Sequence, residues 1–270
     1  MAGIIIDSQQ SSSNSAAPVV QRGGISVFGG SLIVSSAEIR NNRWSDGGGI
    51  SIEGGGSASI SFTQTINNFA EGNGGGVFVK NSSIRMGSGD LASNSALNGG
   101  GISSYNSDID ISFTQIFENV ARVGNGGAIA LDNSSFDMSS GGIHENTATN
   151  DGGGISSYNS NMLMTFTPIS RNIAQNGDGG GLFAHGEELL TSVSLSSVRV
   201  EDNTANNGRG GGLAILGNVQ LTRSGGTLAN NSAQEHDQSF HDSDGGCRTD
   251  LSCGSNELDL PNRPTSSGRQ

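Results

Sequence analysis

Asn119-Val-Ala-Arg-Val-Gly-Asn-Gly-Gly-Ala-Ile129 and Asn146-Thr-Ala-Thr-Asn-Asp-Gly-Gly-Gly-Ile155 are two copies of one phrase. Each runs from an Asn, through an Ala two residues on and a glycine cluster, to an apolar residue. The apolar mark recurs at Ile25, Ile50, Val77, Ile102, Ile129, Ile155, Leu182 and Leu213, with spacings of 25 to 31 residues. The Asn recurs in the same period at Asn42, Asn68, Asn94, Asn119, Asn146, Asn172, Asn203 and Asn231. Two independent markers on one period define an internal repeat.

What such a unit builds follows from its residue types. Glycine costs about 1 kcal/mol in a helix interior, and Ser and Asn compete with helical backbone bonds. Alternating apolar stretches fit strands instead: Ile50/Ile52 and Val77/Val79 after the cluster, then Ile109, Ile111 and Phe113, or Met162, Met164 and Phe166, in a second element. A third, shorter element leads into each Asn. Three short strands per unit describe one coil of a solenoid whose coils stack at about 4.8 Å. Parallel crossovers are right-handed. The expectation is an all-β, right-handed parallel β-helix of the pectin-lyase type, with about eight coils of 25–31 residues.

The residue six before each Asn alternates in size: Ser36, Phe62, Ser88, Phe113, Ser140, Phe166, Ser197, Gly225. Period-two alternation places this column inside with Ile60, Met86, Ile111, Met138, Met164 and Leu195, so that each ring spreads over a small neighbour. Ser103-Ser-Tyr-Asn-Ser107 recurs as Ser156-Ser-Tyr-Asn-Ser160, which makes a pair of coils the larger repeat.

Composition closes off other classes. Glycine supplies 44 of 270 residues without the three-residue period of collagen. No apolar run reaches the roughly 18 residues of a membrane-spanning helix, so no membrane insertion by this chain is expected. Thirteen Lys and Arg against 25 Asp and Glu give a net charge of −12, which argues against nucleic acid as a partner.

Residues 1–22 read as a Ser-rich lead-in with no visible signal peptide, 23–235 as the β-helix domain, and 236–270 as an acidic tail with the composition of disorder. End coils present unpaired strand edges, which would favour end-to-end self-association. His236, His241, Asp242, Cys247 and Cys253 gather in the tail, but a five-residue gap between the cysteines suits zinc poorly. A Cys247–Cys253 disulfide and two free thiols both stay open.

Candidate functional residues fall into rows. Stacked Asn side chains bond from coil to coil, so the Asn column reads as a structural ladder. Asp46, Asn73, Asn98, Asn125, Asp151, Asp178 and Arg209 precede the glycine clusters as turn formers; calcium at Asp151 and Asp178 is the functional alternative, and no metal or cofactor is expected. Three positions past each apolar mark lie Phe28, Glu53, Lys80, Tyr105, Asp132, Tyr158, His185 and Leu216. Tyr105 and Tyr158 would stand two coils apart, about 9.6 Å, near the length of a disaccharide. Phe78 and Phe183 fall on neighbouring outward positions and would widen this ligand-binding face. For an enzyme, Glu118, Glu145 and Glu201, aligned just before the Asn column, would need a partner among Lys80, Arg122, Arg171 and Arg199, and no convergent set emerges. The longest coil carries extra residues around Glu187-Glu-Leu-Leu190.

Ile116-Phe-Glu-Asn119-Val-Ala121 followed by Gly126-Gly-Ala-Ile129 resembles the paired repeat of chlamydial polymorphic outer membrane proteins, over roughly residues 23–235. In all eight repeats the position three before Asn departs from that family's Phe, holding Ile39, Thr65, Leu91, Ile116, Ile143, Ile169, Val200 and Leu228. The resemblance implies a surface-exposed adhesive passenger. The expected function is a non-catalytic, extracellular or surface-displayed module that binds glycan or a host or cell-surface protein. The alternative is a polysaccharide lyase or glycoside hydrolase on the same scaffold.

Overall fold

A computed structural model describes residues 4–7, 24–237 and 239–241. The described residues are all-β without helix, and every strand pairing is parallel. The chain winds into a β-solenoid of eight turns, counted by the eight stacked strands of its smaller sheet.

One coil shows the plan. Strand Ile102–Tyr105 is followed by a two-residue turn, then by the long strand Asp108–Phe117 and the short strand Val120–Ala121. The chain then passes a glycine cluster into the next coil at Ile129–Asp132. Equivalent residues stack in register: Ile102 lies between Val77 and Ile129, Ile111 between Met86 and Met138, and Ile116 between Leu91 and Ile143. The core is this set of apolar columns, with Phe136 its largest fully buried side chain. Its coil lies between two whose inward strand residues include Ser104 and Ser157, both buried. Each fully buried Ile contributes about 1.5–3 kcal/mol.

Four columns of left-handed backbone make the corners. The first is Asn81, Asn106, Asn133 and Asn159 (φ 47–48°). The second is the column from Ser36 to Gly225, and the third is the residue before each ladder Asn, such as Glu118 (φ 55°). The fourth is the first glycine of each cluster, such as Gly126 (φ 66°). The glycine beside it, Gly127, is fixed by close approach: a Cβ there would lie 2.2 Å from the Gly153 carbonyl oxygen.

The second corner overturns the inward placement of Phe62, Phe113 and Phe166. These rings are 68, 66 and 68% exposed. The bend residue takes φ near 50°, so period-two alternation is interrupted and two consecutive residues, Ser112 and Phe113, face outward. The next residue turns in: Thr63, Thr114 and Thr167 are buried, and each hydroxyl donates to the carbonyl two residues back, at 2.9, 3.0 and 3.0 Å. The intervening coils place glycine there. A Cβ on Gly89 or Gly141 would meet the carbonyl oxygen of Thr63 or Thr114 at 2.2 Å. The size alternation inside the coil is therefore Thr against Gly, one residue past the Phe/Ser column.

Before the first coil, Ile4–Asp7 pairs in register with Ala37–Arg40, so the lead-in adds a strand to the stack. Cys247, Cys253 and most of the tail lie outside the described residues.

Candidate functional site

The Asn column is buried throughout, from 0 to 4% exposed. From Asn68 onward each side chain accepts from the backbone amide and the carboxamide of the preceding coil's Asn. Asn119 N and Nδ2 reach Asn146 Oδ1 at 2.9 and 3.0 Å. The same Nδ2 donates to the Leu91 carbonyl at 2.8 Å. The backbone of every coil thus closes onto the next through one amide side chain.

The turn-forming Asp and Asn residues make a second, partly buried ladder of opposite sense. Asp151 Oδ1 accepts from the Asp178 amide at 2.8 Å. Asp178 accepts from the Arg209 amide at 2.7 Å and pairs with its guanidinium at 2.7 Å. Burial pushes the Asp151 carboxyl up. These oxygens are engaged in turn bonds, and among the described residues no three His, Cys, Asp or Glu side chains gather to hold a metal.

The outward row is a register column: Tyr105 lies between Lys80 and Asp132, and Tyr158 between Asp132 and His185. Its turn is built by an Asn in left-handed conformation and a Ser that bonds both ways. Ser107 and Ser160 hydroxyls donate to the Tyr105 and Tyr158 carbonyls at 2.7 Å each, and the Ser134 amide donates to Ser160 Oγ at 2.9 Å. In the duplicated Ser-Ser-Tyr-Asn-Ser segment the inward Ser, the Asn and the last Ser answer to the fold. The tyrosine does not, because Glu53, Lys80, Asp132 and His185 hold its position in other coils.

The side chains of the row meet one another. The Lys80 ammonium lies 5.9 Å from the Tyr105 ring centre, and Tyr105 is 40% exposed. Tyr158 and His185 meet edge to face at 5.2 Å, and Phe183 approaches His185 at 6.5 Å. Burial raises the Asp132 carboxyl, against a bond from Asn133 that lowers it. The Tyr158 hydroxyl is bonded to Glu187 and pushed up to about 12. Glu187 comes from the extra residues of the longest coil, where the register shifts between Gly186 and Thr191. That bulged stretch of the strand Leu182–Ser196 is pinned by its own backbone, the Glu187 amide donating to Asn159 Oδ1 at 2.8 Å. An open depression lined by Gly55, Gly56, Asn81, Ser82, Asn106 and Asp108 adjoins Lys80 and Tyr105.

Two expectations need correction. Phe78 is buried, as are Ser51, Ser103 and Ser156 in its row, so only the half-buried Phe183 reaches the candidate face. Glu201 does not align with Glu118 and Glu145. It is paired with Ser170 in the column of His144, and Asp202 takes the left-handed corner. Glu145 is held by Arg171 at 2.8 Å.

Sequence reasoning missed a third feature. Phe69 is approached by the guanidiniums of both Arg43 and Arg122, 4.4 and 4.3 Å from its ring centre. Arg122 reaches it from two coils away and also donates to the Ala70 carbonyl at 2.8 Å. No local pattern signals that reach. Comparison of the chain with protein-family models, with curated proteins and with solved structures finds no match.

Proposed function

We propose that this β-solenoid is a non-catalytic, extracellular or surface-displayed binding module that holds an extended glycan or surface protein along the row Lys80, Tyr105, Asp132, Tyr158 and His185. One observation carries the reading: five side chains with recognition chemistry stand in a straight register column, two of them tyrosines in a position where the fold asks for no ring. Aromatic faces stack on the apolar faces of sugar rings and on peptide side chains. Lys80 and Asp132 set the orientation of a bound polymer. A repeating ligand would meet both tyrosines at once, and two weak contacts then add through effective concentration. The resemblance of residues 116–129 to the chlamydial outer membrane repeats supports the same reading, with adhesion as the role.

A glycan array and a panel of extracellular matrix proteins, screened with the wild type and with the Tyr105→Ala/Tyr158→Ala variant, test it. Specific binding that drops at least tenfold in the variant is expected. Hits retained in full by a folded variant reject this face.

A further inference from the structure

A second aromatic row stands eight residues further along the coil than the tyrosines. Phe62 and Phe113 occupy the bend of the long strand, Phe166 the equivalent corner between Asn161–Thr165 and Ile169–Ser170, and each is about two-thirds exposed. All three are left-handed (φ 50–51°), a conformation in which a bulky residue is an outlier. The coils between them place Ser88 and Ser140 at the same corner in the same conformation. The bend therefore forms without a ring, and the ring is neither buried by the fold nor suited to its backbone. Strain and apolar exposure that coincide in this way mark surfaces in use.

The spacing describes the ligand. Rings on alternate coils are about 9.6 Å apart, so the row is about 19 Å long. On an extended peptide, side chains of one face recur every 6.6–6.8 Å or so, out of step with the row. A polyproline helix repeats every 9.3 Å or so, but it would leave the polar flanks of the ridge unmatched. Those flanks are mostly hydroxyls and carboxamides: Ser112 and Gln115 about Phe113, Ser61 and Gln64 about Phe62, and Thr165 with Pro168 about Phe166. An aromatic face between groups that both donate and accept suits a sugar ring, whose C–H face stacks while its hydroxyls bond. Charge decides between sugars. Asp90 and Asp110 lie beside the ridge, the nearby Arg85 is paired with Asp110 at 2.9 Å, and the chain carries −12. An anionic polymer would be repelled.

The geometry points to a linear, uncharged polysaccharide lying along the solenoid axis on the Phe62–Phe113–Phe166 ridge, one disaccharide per ring, at a site separate from the tyrosine row.

Calorimetric titration with β-1,4-linked hexaoses of glucose, mannose and xylose tests this, with polygalacturonate and a proline-rich peptide as comparators. At least one hexaose should bind saturably. The Phe62→Ser/Phe113→Ser/Phe166→Ser variant should weaken it tenfold or more while melting no lower than wild type, since Ser is native at this corner in neighbouring coils. The Tyr105→Ala/Tyr158→Ala variant should keep hexaose binding. The inference falls if no hexaose binds, if the triple variant binds as well as wild type, or if only the peptide or polygalacturonate responds to the triple substitution. Binding lost in the tyrosine variant and kept in the phenylalanine variant would reject the ridge and leave the tyrosine row standing. The reverse would reject the tyrosine row as the anchor for these sugars.

Discussion

Replacing Asn146 by Ala cuts the solenoid's central ladder at mid-length. The two hydrogens of the Asn146 carboxamide are shared among the Ile116 carbonyl at 3.0 Å, the His144 carbonyl at 2.9 Å and Asn172 Oδ1 at 2.9 Å. Its oxygen accepts from the Asn119 amide at 2.9 Å and Asn119 Nδ2 at 3.0 Å. Not all of these are lost alike. Asn119 Nδ2 keeps the Leu91 carbonyl, and Asn172 Oδ1 keeps the Asn146 backbone amide. The Asn119 backbone amide loses the acceptor it uses, in a residue that is fully buried. An orphaned buried group costs about 1–3 kcal/mol and each ordinary bond lost about 1 kcal/mol, so the expected destabilisation is about 3–5 kcal/mol. Asn106→Ala is the control. That Asn also sits left-handed (φ 47°) but is exposed, with one long contact to Asn81 at 3.4 Å, so it should cost about 1–2 kcal/mol. Equilibrium denaturation followed by circular dichroism reads the difference. Trp44, the single tryptophan, reports separately on the first coil. In a repeat stack stability is a sum of neighbour terms, so the Asn146 variant should also separate the two signals. A variant within about 0.5 kcal/mol of wild type, or no worse than Asn106→Ala, would refute the ladder's structural role; 0.5 kcal/mol is the usual spread for surface changes.

Three further outcomes follow from the corners and the site. Ser140→Phe should change stability by no more than about 0.5 kcal/mol, the usual spread of a surface change, whereas Gly141→Ala, at φ 116° with its Cβ 2.2 Å from the Thr114 carbonyl oxygen, should cost about 2–3 kcal/mol in a thermal melt. His144 stacks on Phe117 at 5.2 Å, and burial lowers its pKa, with Glu145 and Glu118 opposing and Arg171 reinforcing the shift. The unfolded chain therefore takes up this proton first, and stability present above about pH 6.5 is lost as the pH falls through the lower, folded value; His144→Ser should flatten that part of the stability profile. In Tyr105→Phe, which leaves Tyr158 as the single tyrosine, phenolate absorbance should rise near pH 12, and adding Glu187→Gln should bring the rise to lower pH.

The solenoid was legible because two of its columns admit few residue types. A buried amide that must donate and accept along the stack selects Asn, and a corner closed to Cβ atoms selects Gly. Those constraints are local, so they repeat in the sequence at the coil period. The bend was misread because alternation is a property of extended backbone, and one left-handed residue shifts it. Its signature was present in the Thr63, Gly89, Thr114, Gly141, Thr167 alternation one residue later. The Lys80–His185 row was legible as soon as the period was known, since parallel stacking turns equal repeat positions into neighbours. Its chemistry was not. The Glu187 bond to Tyr158 depends on a register shift within the strand Leu182–Ser196, and the covering of Phe78 depends on how the corner folds over its row.

A repeat supplies its own standard for what a position requires. In the bend column the standard is Ser, which takes the left-handed corner in four coils and meets solvent without penalty. Thr against Gly inside the bend has a packing cause, since a Cβ in the Gly coils would strike the neighbouring carbonyl. Coupling of Phe to Thr in every second coil could then be a trace of coil-pair duplication. Duplication explains how three rings arose together but not why they stay, since each leaves two-thirds of its area in water. The tyrosines recur in the same coils as Phe113 and Phe166, in a column whose neighbouring coils hold Lys80, Asp132 and His185. Departures from a column's own standard that bring strain or exposed apolar area, and that recur on the larger period, are where this fold departs from what stability alone would select.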